Sequence, residues 1–280
     1  MDQYSALPPP IGTPPPEPSG WNKLKKLFAP LGMLGVLLLK FGAKVKFLIM
    51  PGIKFFPVIL KTGGTMILSI GAYAMLWGVW FAVGFVLLIF VHELGHLLAA
   101  KKCGLKVGAP VFIPFMGAVI ALKEAPRNAW IEAQVGIGGP MLGTVGAALC
   151  EMIHLTTGNQ MFRALAYTGF FLNLFNLAPI GFLDGGRIVT ALSPWLWLVG
   201  FVVVLGLIIQ HPNFILVLIL IISVPRLFSL FRSKSDEERR YFEVTAGQRA
   251  TMAIMYFGLI ALLVIGMQIS HIPRELLPQR

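Results

Sequence analysis

The chain has 280 residues, 56% of them hydrophobic and only 12% charged, roughly half the charged share of an ordinary soluble domain, about 25%. This composition excludes a water-soluble enzyme and points to a polytopic membrane protein, with several apolar runs near the roughly 20 residues a helix needs to cross a bilayer. The formal net charge of +11 fits either nucleic acid or cytoplasmic loops beside anionic lipid, and its distribution along the chain decides between them.

Residues 1–20 carry Pro8, Pro9, Pro10, Pro14, Pro15, Pro16 and Pro18 and read as a disordered tail with polyproline character. They lack the basic and apolar regions of a secretory signal. Residues 21–63 mix apolar positions with Lys40, Lys44 and Lys46, and Pro30, Pro51 and Pro57 interrupt them. That pattern reads as a basic segment lying on the membrane surface. Two spans follow at about 64–78 and 81–101, joined by a tight turn through Leu76-Trp77-Gly78-Val79-Trp80. The stretch from Val111 to Leu122 is apolar but too short to span, and Pro114 and Gly117 break it. It reads either as a buried loop or as a re-entrant extended segment offering a strand edge.

Further spans fall at about 128–153 and 161–180, then a hairpin at 191–210 and 213–230, and a last span at 250–269. A charged loop occupies about 231–249. With the N-terminus in the cytoplasm, 20 of the 23 Lys and Arg residues fall on the cytoplasmic side; Arg163, Arg274 and Arg280 do not. Topology therefore accounts for the basic charge, and no nucleic-acid partner is expected. Cys103 and Cys150 suggest neither a disulfide framework nor a CxxC site.

The chemistry lies in His92-Glu93-Leu94-Gly95-His96, directly after the apolar run from Trp80 to Val91. HExxH on a helix sets two imidazoles on one face, one turn apart, where they can share a zinc ion. Glu93 is placed to act on water at that ion. Ionisable groups within a membrane are rare and usually functional. A third protein ligand is needed. The chain has three aspartates: Asp2 in the tail, Asp236 in the charged loop, and Asp184 at the cytoplasmic depth of His96. Asp184 reads either as that ligand or as a helix N-cap beside flexible glycines, with its depth favouring the metal. Glu132 and Glu151 are rivals, the first in an interfacial or packing role and the second near the outer end. Gly139-x-x-x-Gly143 is a close-packing signature. Asn173 and Asn176 read as helix–helix hydrogen-bonding amides, or, for Asn176, as a group that holds the substrate backbone or an oxyanion. His154, His211 and His271 map to the far side.

His92-Glu93-Leu94-Gly95-His96, followed by Asn176-x-x-Pro179-x-x-x-Leu183-Asp184-Gly185, resembles the site-2 protease family of intramembrane zinc metalloproteases, peptidase family M50. Phe112-Ile-Pro-Phe-Met-Gly117-Ala and Gly139-Pro140 are similar to the segment between its two motifs. The resemblance covers about residues 64–190 and implies Asp184 as the third zinc ligand. The expected fold is an all-α polytopic membrane protein of about six to seven transmembrane helices. A short re-entrant extended segment follows its active-site helix. The catalytic core is expected at 64–190 and further transmembrane helices at 191–280, with no room for an added PDZ or CBS domain. The expected activity is hydrolysis within or near a transmembrane segment of a membrane-protein substrate, in the manner of regulated intramembrane proteolysis. It would take place in the cell membrane, with the site on the cytoplasmic side. A zinc transporter or sensor using the same ligands is the alternative, against which Glu93 argues. The substrate's identity and the oligomeric state are not specified by the sequence.

Overall fold

The computed structural model describes residues 60–271 except 116, 213, 230, 233 and 234. The expected proline-rich tail and nearly all of the basic segment, residues 1–59, lie outside the described residues, as do Arg274 and Arg280.

Helix α1 covers residues 60–77, and α2 runs from Val79 to Lys102. Gly78 separates them with φ 83, a left-handed conformation that glycine adopts without steric cost. The turn expected from the Trp77-Gly78 junction is therefore present. Tyr73 and Trp77 of α1 pack edge-on against Phe85 of α2, with centroids 5.0 and 5.4 Å away. Gly104, at φ 75, closes α2. Its N–H donates to Lys101 O at 3.0 Å, and the Leu105 N–H donates to Ala100 O at 2.9 Å. This paired capping satisfies carbonyls that a helix end leaves bare.

The chain then forms an antiparallel hairpin, β1 (Val107–Ile113) with β2 (Gly117–Leu122). The extended character expected at 111–122 is present, and the first strand begins earlier, at Val107. Side chains of α1 bind the hairpin. Thr62 Oγ1 donates to Pro110 O at 2.8 Å, and Thr65 Oγ1 accepts from the Phe112 N–H at 3.1 Å. The Tyr73 hydroxyl accepts from the Phe115 N–H at 3.0 Å.

Helix α3 (Ala129–Thr157) starts at Asn128, whose side chain accepts from the Ile131 N–H. Next come α4 (Gln160–Asn176), the short α5 (Asp184–Leu192), α6 (Leu196–Gln210), α7 (Phe214–Phe228), α8 (Asp236–Tyr241) and α9 (Ala246–Ser270). Among the described residues α2, α3 and α9 are long and apolar enough to cross a membrane, and α6 and most of α7 are shorter apolar helices. Two expected spans differ. The one placed at 161–180 stops at Asn176, because Pro179 has no N–H to continue a helix. The one placed at 191–210 is preceded by the separate α5, which ends before Ser193-Pro194. Asp184 is thus the first residue of its own helix, with Leu183 as N-cap.

Helix α3 is central and packs against α2, α4, α5 and α9. Ala133, Ile137 and Ala147 of α3 meet Phe170, Ile188, Met252 and Leu263 in one buried cluster. Against α2 the approach is closer than side chains permit: a Cβ on Gly95 would lie 2.2 Å from Gly138 O. Gly95→Ala is therefore expected to destabilise the bundle by about 1–3 kcal/mol, as overpacking generally does. A thermal melt of the purified chain checks this; an unchanged transition would mean that the two backbones are not in contact.

Candidate metal centre

His92 and His96, four residues apart, share one face of α2, and both are buried. Asp184 enters from the first turn of α5. The two Nε2 atoms are 3.1 Å apart, and Asp184 Oδ2 stands 3.1 Å from His96 Nε2 and 3.2 Å from His92 Nε2. Among the described residues this is the one group of three His, Cys, Asp or Glu side chains so arranged.

The remaining ring nitrogens fix the protonation pattern. His92 Nδ1 lies 2.8 Å from Asn173 Oδ1, and Asn173 Nδ2 donates to Gly169 O at 2.7 Å. That second bond sets the amide orientation, so its oxygen faces the imidazole and accepts from Nδ1–H. His96 Nδ1 lies 2.7 Å from Val135 O, another acceptor, and must donate as well. Both Nε2 lone pairs therefore point at the carboxylate oxygen. Three acceptors within 3.2 Å of one another suit a cation. Ligands about 2.0–2.1 Å from a tetrahedral zinc are separated by roughly 3.3 Å, close to the edges of this triangle. The donor set fits the ion.

Asp184 Oδ1 is turned to Arg187 Nη1, 3.7 Å away, leaving Oδ2 for the histidines. Glu93 is buried beside them, within the electrostatic reach of His96, His92 and Asp184. Among the described residues, no hydrogen bond or ion pair engages its carboxylate.

The glycines of α3 admit these groups. A Cβ on Gly139 would lie 2.2 Å from His96 Nε2, one on Gly143 would lie 2.2 Å from Asn173 Oδ1, and one on Gly136 would lie 3.3 Å from Asp184 O. The close-packing signature therefore makes room for an imidazole and its supporting amide as well as for helices.

The structure brings together four sequence-derived candidates, His92, Glu93, His96 and Asp184. Asn176 is not joined to the triangle: its Nδ2 donates to Leu172 O at 3.0 Å, one turn back on its own helix. His154, His211 and His271 lie outside the group. Sequence reasoning did not single out Asn173 as the partner of His92. Its only signal was an amide in an apolar helix, which interhelical hydrogen bonding explains equally well. Glu132, the rival carboxylate, lies outside the triangle and is paired with Arg226 at 3.1 Å.

Residues 80–160 match the model of peptidase family M50. A zinc metalloprotease of Methanocaldococcus jannaschii is 35% identical over 130 residues, 45% of this chain and 37% of that protein. The chloroplastic EGY2 of Oryza sativa, named as a probable zinc metalloprotease, is 27% identical over 161 residues, 41% of this chain and 29% of its own length. The chain thus spans roughly a third of the length of these curated relatives. The family match begins near the start of α2 and ends just past α3, taking in both histidines and Glu93. Over that core the chain is similar to peptidase family M50.

Proposed function

We propose that the chain is an intramembrane zinc metalloprotease that hydrolyses a peptide bond within or near a transmembrane segment of a membrane-protein substrate. The observation that carries this is the buried triangle of His92 Nε2, His96 Nε2 and Asp184 Oδ2 with Glu93 alongside. It is built on a helix long and apolar enough to cross a bilayer. His92, His96 and Asp184 would hold the zinc. The ion supplies a Lewis acid that makes water nucleophilic near neutral pH.

Glu93 takes the proton of the attacking water as its oxygen bonds to the scissile carbonyl carbon, then gives that proton to the amine nitrogen, so that the C–N bond breaks and the amine leaves. Asn173 and Val135 O keep both imidazoles in the Nδ1–H tautomer throughout. Asn176 holds the substrate backbone, for which its place just before the Asp184 turn is suitable. A helical substrate must first unwind, because its carbonyls are otherwise hydrogen-bonded and shielded. The hairpin supports this step. Its β1 side is bound by α1, while among the described residues no hydrogen bond from another element reaches the outer edge of β2. An extended substrate would add there as a further strand.

The positive charge of the loops supports an N-terminus and site on the cytoplasmic side of the cell membrane, in a bundle of six to seven spans with a re-entrant hairpin. Cleavage at that depth suits regulated release of a membrane-tethered protein.

Glu93→Gln is expected to keep its zinc and to lose cleavage of a single-span model substrate by at least about 100-fold, the lower bound for general acid–base catalysis. Metal analysis and an electrophoretic cleavage assay check it. Equal cleavage by the variant would sink the mechanism, and full zinc retention by an active Asp184→Asn would remove the third ligand. Asn173→Leu is expected to weaken zinc binding about 10- to 100-fold, the usual cost of losing the partner of a ligating histidine. Competition with a chelator reads this out; unaltered affinity would show that His92 needs no orienting acceptor.

A further inference from the structure

Three helices beyond the family-matched segment each donate one side-chain hydrogen bond to a backbone carbonyl around Asp184, two in the turn before it and one in the first turn of α5. Trp197 Nε1 of α6 donates to Gly186 O at 2.8 Å, Arg226 Nη1 of α7 to Gly181 O at 3.0 Å, and the Tyr256 hydroxyl of α9 to Leu177 O at 2.6 Å. The turn needs such donors. Gly181 sits at φ 52, and a Cβ on Gly185 would lie 2.0 Å from Leu177 O. The backbone is thus folded hard against the start of α5, and buried carbonyls outside regular structure require partners.

Arg226 does more than cap a carbonyl. Its Nη2 donates to Thr190 Oγ1 and to Glu132 Oε1, both at 3.1 Å, and its guanidinium lies 4.7 Å from the centre of the Trp197 ring. Glu132 stands one turn before Val135, whose carbonyl orients His96. The other oxygen of Glu132 accepts from the Tyr241 hydroxyl at 2.8 Å. Burial and the Glu132 charge push that phenol up, so it stays protonated and donates.

Resting on the metalloprotease reading, we infer that Arg226 is a positioning residue for Asp184, bridging α3, where His96 is anchored, to the turn that presents the carboxylate. The planar fork is what the bridge requires: one guanidinium reaches a carboxylate, a hydroxyl and a carbonyl together, which a lysine ammonium on a flexible stem cannot hold in one plane. The role differs from bulk packing, for which the Ile219 side chain on the same helix is the comparison, buried among Ile180, Leu183 and Val204.

The test uses the full chain in detergent, stripped of metal and titrated with zinc against a chelator of known affinity. Arg226→Lys, Arg226→Met and Ile219→Ala are compared, and metal-free melting is recorded for each. Arg226→Lys is expected to melt near the native chain and to bind zinc about 10-fold more weakly, and Arg226→Met up to about 100-fold more weakly. Ile219→Ala is expected to lower the melting temperature and to weaken zinc binding less than Arg226→Lys does, because it removes apolar packing on Ile180 and Leu183 and leaves the hydrogen bonds of the bridge in place. Native-like affinity in both arginine variants overturns the role. So does a loss in Ile219→Ala equal to that in Arg226→Met, or an Arg226→Lys chain that does not fold. A native chain that takes up no zinc overturns the metalloprotease reading itself, and this role with it.

Discussion

Three lone-pair-bearing atoms held within 3.2 Å of one another in an apolar bundle repel each other unless a cation lies between them. The local structure is arranged to maintain that convergence. Asn173 and the Val135 carbonyl take up the Nδ1 protons and so keep the Nε2 lone pairs turned inward. Arg187 draws one oxygen of Asp184 aside and leaves the other to face the rings. Each interaction is ordinary alone; together they determine which atom of each side chain is offered to the centre.

The same requirement explains why α3 lacks side chains along part of its length. Side chains from α2 and α4, and the backbone of α5, approach it at Gly139, Gly143 and Gly136. A helix with side chains there would force its neighbours away, most of all at Gly139 and Gly143, where a Cβ would lie 2.2 Å from them. In lipid, where no hydrophobic force presses helices together, such close approach is also what packing and interhelical hydrogen bonds depend on. Glycine weakens α3 intrinsically, and the contacts made possible by the bare face offset this.

Much of this was legible in the sequence because its determinants are local. The i, i+4 spacing of His92 and His96, the apolar run before them, Gly78 and the break at Pro114 each act over a few residues. Asp184 was legible by scarcity and depth, and its identity as a ligand came from resemblance. Asn173 was not legible, because an amide carries no mark of which atom it will meet 81 positions away in the chain. Nor was the separation of α5 from α4: hydropathy continues through Leu177, Ile180 and Leu183 as though one span were being completed. Pro179 and Gly181 turn the backbone there, and apolar side chains then bury the turn instead of facing lipid.

That turn joins two parts of the molecule with different claims on the site. The family-matched segment holds both histidines and Glu93, whereas Asp184 lies beyond it, and the donors to its carbonyls come from α6, α7 and α9. A histidine pair on one helix is preorganised by the helix itself. A carboxylate on a nine-residue helix entered from an irregular turn is not, and its position must come from contacts made later in the chain. The downstream helices therefore contribute to the site without supplying a ligand. They fix where Asp184 stands, and a centre whose three corners must agree to within a few tenths of an ångström is sensitive to that one coordinate.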